Sequence, residues 1–214
     1  ALYDQTGQGR TLTYNGNPTL NVYGGFVPYY DLDGTGDYFT RADEAGLDIT
    51  GTETTIASAL RGLTMGGWFW SDDISTSPAL MAKFAFTAGN QRAYNLLHQS
   101  TGGIRCSISS DGTSTNQQNV DSSNTVATGQ WFFAVARFTP STELAVFLNG
   151  TKTTFTTSVK ASLFNSTSTF FLGAMDGGTR NLDGRLALSF LCASILSDTQ
   201  ISHLFERTRK FFGV

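Results

Sequence analysis

Residues 129–153 read GQWFFAVARFTPSTELAVFLNGTKT, and this stretch decides the fold class. Trp131–Thr139 and Glu143–Leu148 are short apolar runs, and Thr151–Thr156 resumes the pattern after Asn149-Gly150. An Asn-Gly pair between two such runs predicts a two-residue hairpin, because both central residues of that turn need positive φ. The stretch is read as antiparallel strands.

The same reading extends outward in both directions. Alternating or β-branched runs recur between clusters of Gly, Asn, Asp and Ser, the pattern of a sandwich or jelly roll. Upstream they fall at Arg10–Tyr14, Tyr29–Leu32, Tyr38–Arg41, Leu63–Trp70, Ala79–Phe86, Ala93–Gln99 and Gly103–Ser109. Downstream they fall at Ser168–Ala174 and Gly184–Ser194. The polar stretch Ser109–Thr125 is expected to be a long loop with one edge strand. No shift in composition marks a boundary, so residues 1–214 are expected to form a single domain. Near the end, Ser197 and Gln200 have capping-box spacing. Ile201, Leu204 and Phe205 follow at helical spacing, so one short C-terminal helix should lie against the sandwich.

Composition limits the function. Hydrophobic residues make up 40% of the 214 and charged residues only 14%, enough for a substantial core under a surface dressed with Ser, Thr, Asn and Gly. A net charge of −3 argues against a broad nucleic-acid surface, which needs clustered Lys and Arg. Arg207, Arg209 and Lys210 beside Phe211 and Phe212 are read as cations favoured at a helix C-terminus. No apolar run approaches the about 18 residues needed to span a bilayer, and the chain is expected to be soluble. Cys106 and Cys192 lie in apolar alternating runs and are expected to be buried free thiols. Trp68 and Trp131 are expected to meet between the two β-layers.

Five segments in order resemble the LamG-like, concanavalin A-like jelly-roll superfamily. They are YDQTGQGRTLTYNGNPT (3–19), YDLDGTGDYFTRADEAGLDITG (30–51), LTMGGWFWSDD (63–73), the 129–153 stretch, and FFLGAMDGGTRNLDGRLALSFLCASILSDTQI (170–201). The resemblance implies an all-β, two-sheet antiparallel jelly-roll sandwich (concanavalin A-like) with a short C-terminal helix. It also implies binding by loops or by one concave face. Relatives of this kind serve as glycan-binding modules, adhesion domains, and parts of bacterial surface or phage virion proteins.

Within DLDGTGD, Asp31, Asp33 and Asp37 are candidate calcium ligands, since alternate aspartates in one loop supply oxygen ligands. The competing reading is a strand-to-strand corner, where Asp and Gly serve turn geometry. The twelfth-position glutamate of an EF-hand-type loop is missing; Glu44 falls at the fourteenth position counted from Asp31.

For sugar binding, an aromatic face must accompany hydrogen-bonding side chains. Asn90, Arg92, Tyr94 and His98 are the candidate ligand-binding residues on one hairpin. Catalysis is not expected. The paired carboxylates of related glucanases, Glu-x-Asp-x-x-Glu, are not opened by any of Glu44, Glu53, Glu143 or Glu206.

The closing strand departs from the family pattern. Ala187, Leu188 and Phe190 stand where relatives alternate acidic and basic residues. A strand without charges on either face is buried on both, either by the terminal helix or N-terminal segment, or by a partner in a homo-oligomer or larger assembly through residues 184–194. The expected function is thus a non-catalytic recognition or adhesion module for cell-surface glycan. It would be extracellular, cell-surface or virion-associated. The alternative is a structural component of a larger assembly, such as a virion decoration or fibre protein.

Overall fold

In the computed structural model, which describes residues 2, 4–87 and 89–214, the alternating runs stack as two seven-stranded antiparallel sheets. The chain forms β1 (Thr13–Asn15), β2 (Thr19–Tyr23), β3 (Val27–Asp33), β4 (Tyr38–Arg41), β5 (Arg61–Asp73), β6 (Ala79–Ala85) and β7 (Gln91–His98). It continues through β8 (Ile104–Gly112), β9 (Gln117–Asp121), β10 (Trp131–Thr139), β11 (Glu143–Leu148), β12 (Thr151–Phe155), β13 (Phe170–Leu172), β14 (Asp183–Ser194) and α1 (Asp198–Phe212). One sheet has the order β1-β4-β13-β6-β7-β8-β9, the other β12-β11-β10-β5-β14-β3-β2. The 109–125 stretch supplies β9 as an edge strand, as expected. The short strand β2 was not among the strands read from the sequence; its apolar Leu20 and Val22 face solvent.

Asn149 and Gly150 adopt φ of 49° and 82°, and their turn sets the register in which Leu148 faces Thr151. That register points Leu144, Val146 and Leu148 between the sheets. There they join Phe132, Ala134, Ala136 and Phe138 of β10 and Leu63, Met65 and Phe69 of β5. The opposite sheet contributes Phe39, Leu80, Met81, Leu96, Ile104, Cys106 and Ile108.

Because side chains alternate across a strand, the intervening residues of β5, β10 and β11 face away from this core. Trp68, Trp131, Phe133, Val135 and Phe147 point outward, and α1 covers them with Ile201, Phe205 and Phe212. Trp68 stacks on Phe212 at 4.3 Å between ring centroids and donates its indole N–H to Thr208 Oγ1 at 2.8 Å. The expectation that Trp68 and Trp131 meet between the sheets is therefore corrected: both are buried, but in a second core between one sheet and the helix. The helix begins as expected, with reciprocal hydrogen bonds between Ser197 and Gln200, and ends at Gly213 in the left-handed conformation.

Strand β14 lies inside its sheet between β5 and β3. Its pairing with β5 shifts register between Ala187 and Phe190, where Leu188 takes φ 49°. The bulge lets one strand serve both cores: Leu186 and Leu191 contribute to the inter-sheet core and Ala187 and Phe190 to the core under the helix. Leu186 and Ala187 are buried, Leu188 is exposed, and Ser189–Ser194 are half-buried. Cys106 and Cys192 are free thiols, buried and half-buried.

Candidate functional site

The residues expected to bind ligand divide between the two faces of β7. Pairing with β8 shifts register between Arg92 and Tyr94. Arg92 therefore stays on the outer face, with its guanidinium carbon 5.6 Å from the Phe86 ring centre, while Tyr94 turns inward. Tyr94 is fully buried and donates its hydroxyl to the Leu47 carbonyl at 3.1 Å. Burial, with Asp48 and Asp43 nearby, pushes its phenol well above the usual range.

His98 is also fully buried, with Nδ1 2.9 Å from Ser71 Oγ. Burial brings its pKa down to about 4. A sugar reaches neither ring from solvent, so Tyr94 and His98 are corrected from surface ligands to interior residues. Asn90 and Arg92 remain together at the rim, with Arg92 Nη1 3.4 Å from Asn90 Oδ1.

The structure places an open groove of about 300 Å³ on the outer face of β6, β7 and β8, at the β9 edge. Alternation builds it. Asn95, Leu97 and Gln99 project outward from β7 and its end, Arg105 and Ser107 from β8, Gln117 from β9, and Phe84 and Phe86 from β6 and its end. Leu97 and Phe84 form an apolar floor with Ala82 and Met175. Asn95 is 1% exposed, and its Oδ1 is buried without a hydrogen-bond partner. Such an acceptor costs roughly 1–3 kcal/mol while it stays unpaired. A donor entering the groove would recover that cost.

Around Asn95 the polar groups are ordered. Arg105 makes a two-pronged contact with Asp121, both distances 2.7 Å, which raises the guanidinium pKa chiefly through the hydrogen bonds. Phe86 is 41% exposed. Its backbone is fixed by Asp176, which accepts from Phe86 N at 2.9 Å and from Thr87 N at 3.1 Å. Sequence reasoning missed this face. The signal was present as polar residues sharing one face of each strand, Asn95 and Gln99, Arg105 and Ser107, Gln117 and Asn119, but it also fits an ordinary solvated sheet.

The acidic corner is a second cavity, of about 310 Å³, lined by Asp31, Asp33, Asp37, Asp72, Asp183 and Arg185 among others. Its carboxylates serve local structure. Asp33 Oδ1 accepts from Thr35 N at 2.8 Å and Asp37 N at 3.3 Å, a side-chain-closed turn, and the Thr35 amide foremost lowers the Asp33 pKa. Asp37 is buried and accepts from Asn17 N at 2.7 Å. Asp31 pairs with Arg185 at 3.2 Å. Gly34 closes the corner with φ 72°, and a Cβ there would lie 2.8 Å from that of Asp183. Among the described residues no group of three or more His, Cys, Asp or Glu is arranged to hold a metal ion. In this geometry Asp33 and Asp37 accept backbone N–H groups that shape the corner, and Asp31 holds Arg185.

Two stacked antiparallel sheets with a polar groove on one outer face define a lectin-type sandwich. The sequence agrees: residues 33–202 match the model of the concanavalin A-like lectin/glucanases superfamily, and the chain belongs to that family. No curated protein matches it.

Among solved structures, the binding domain of Paraclostridial Mosquitocidal Protein 1 superposes with a TM-score of 0.72 at 11% identity, covering 98% of this chain and 52% of that one. The receptor binding domain of botulinum neurotoxin C/D mosaic serotype gives 0.69 at 14%, covering 97% and 48%. Botulinum neurotoxin type C, whose cell entry is dependent upon interaction with two ganglioside molecules, gives 0.67 at 12%, covering 95% and 48%. The chain spans about half the length of these structures. At such identities the likeness is one of fold. No helix among the described residues is long and apolar enough to cross a membrane.

Proposed function

We propose that this chain is a non-catalytic recognition module that binds glycan at a cell surface through the outer groove of β6–β9. The observation that carries the reading is Asn95, an almost fully buried amide whose oxygen has no partner, set between an exposed phenyl ring and a row of amide and guanidinium groups. Sugars suit this arrangement. Their hydroxyls donate and accept in pairs, and their C–H faces lie on aromatic rings, so few well-placed polar groups on an apolar floor give orientation and specificity.

Membership in a superfamily of lectins and glucanases supports the reading. So does the likeness to toxin binding domains, in a toxin group where cell entry of botulinum neurotoxin type C is dependent upon interaction with two ganglioside molecules. The non-catalytic part rests on the groove chemistry: its described lining offers amide, hydroxyl and guanidinium groups, whereas glycoside hydrolysis uses two flanking carboxyl groups. A module of this kind would act outside the cell or at a cell surface.

A glycan array probed with the purified chain tests the reading. Binding to a defined set of glycans is expected, lost in Asn95→Leu without a fall in melting temperature and in Gln117→Ala with melting unchanged. Silence across the array, or binding that survives both substitutions, overturns it.

A further inference from the structure

Most arginines with a role in the fold are neutralised. Arg105 has Asp121, Arg137 has Glu143 and Asp198, and Arg185 has Asp31. Two are not. Arg92 and Arg180 flank the same ring, with guanidinium carbons 5.6 and 5.7 Å from the Phe86 centre. Among the described residues neither has a carboxylate partner. Arg180 Nη1 donates only to the carbonyls of Thr76 and Ser77, at 3.1 and 3.2 Å. Arg92 Nη1 meets the Gly112 carbonyl at 3.3 Å, and its Nε is buried without a partner. The nearby Asp176 carboxylate is turned to the Phe86 and Thr87 amides and the Thr87 hydroxyl. In a chain of net charge −3, two uncompensated cations on one exposed phenyl ring concentrate positive potential at one rim of the groove. The other rim carries amides and the already paired Arg105.

On this geometry, and resting on the groove being a glycan site, we infer that its ligand is an acidic sugar. The sugar's carboxylate or sulfate meets Arg180 and Arg92 beside Phe86, and a hydroxyl donates to Asn95 Oδ1. A guanidinium beside an aromatic ring still carries N–H groups that its carbonyl contacts do not use, and these can take an oxyanion by charge-assisted hydrogen bonds. Arg180 and Phe86 line the same cavity as Asn95, so one ligand can touch all three. A neutral sugar would leave both charges uncompensated.

The test is a glycan array on which neutral oligosaccharides stand beside their sialylated, uronate-bearing and sulfated counterparts, read at two salt concentrations. Wild-type signal should favour the acidic member of each pair by about tenfold or more, the order expected for one charge-assisted contact, and should weaken as salt rises. Preference for the carboxylate-bearing members, for the sulfated members, or for both upholds the inference and identifies the anion. Arg180→Gln and Arg92→Gln should each erase that preference, and Arg180→Lys should retain part of it, with melting checked for each variant. Equal binding to neutral and acidic partners, with Asn95→Leu still abolishing it, overturns the acidic-sugar inference and leaves the glycan reading standing. No binding to any member overturns both.

Discussion

The two sheets present opposite solutions on their outer faces. On the β10–β5–β14 side, outward positions are filled by Trp68, Trp131, Phe133 and Phe147, and α1 closes over them. On the β6–β7–β8 side the outward positions carry Asn95, Ser107, Gln99 and Arg105 around a short apolar floor, and they line an open groove. Both patterns follow from the same two-residue alternation. The difference teaches that one outer face has become a second core, while the other stays open to solvent. The covered face should hold most of the stability and the open face little of it.

The strongest test of that contrast is Trp68→Ala, which removes the indole stacked on Phe212 and bonded to Thr208. Unfolding free energy from urea denaturation should fall by about 3–5 kcal/mol. Gln117→Ala on the open face should stay within about 0.5 kcal/mol of wild type; equal losses would erase the distinction.

Next in size is Thr208→Val. It keeps the shape but leaves the buried Trp68 indole N–H unpaired, for a cost of about 1–3 kcal/mol.

Acid should act on the covered face. Burial favours neutral Glu143 and Asp198, but hydrogen bonds and charges from Lys152 and Arg137 outweigh it and lower both pKa values from 4.5 and 3.8. A depressed carboxylate contributes stability that is complete above its unfolded pKa and is lost as pH falls through the folded one. Melting temperature should therefore drop below about pH 4.5, together with helical circular dichroism, because Asp198 opens α1. Glu143→Gln should flatten that drop.

Asp183 has the opposite sign. Burial, then Asp72, Asp73, Asp33 and Asp31, raise its pKa, so its charge destabilises the fold at neutral pH. Asp183→Asn should raise the melting temperature by a small amount at pH 7. Smallest of all is the chelator effect: with the corner carboxylates bonded to backbone amides and Arg185, EDTA should leave melting unchanged. A fall would bring the calcium reading back, since a ligand bound only by the native state must stabilise it.

The legible parts of this fold were those set by neighbours in sequence. The Asn149-Gly150 turn, the Ser197 and Gln200 cap and the alternating runs were readable because a turn, a cap or a pleat is decided within a few residues. The site was less so. Asn90, Arg92, Tyr94 and His98 were assigned together to one hairpin surface, because the bulge within β7–β8 pairing that turns Tyr94 and His98 inward leaves no mark in the sequence. At β14 the sequence left open whether the terminal helix, the N-terminal segment or a partner covers residues 184–194, because neither the Leu188 bulge nor the path of α1 is visible in it.

By itself the sequence determined that the chain is built of antiparallel strands with one closing helix, since periodicity and turn chemistry are local properties. Only the tertiary structure decided which face of each strand meets the other sheet, which meets α1 and which meets water. Alternation gives every strand two faces, and nothing within a strand says what lies opposite either of them. That assignment put Trp68 under a helix, Tyr94 in the interior, and Asn95 at the floor of an open groove.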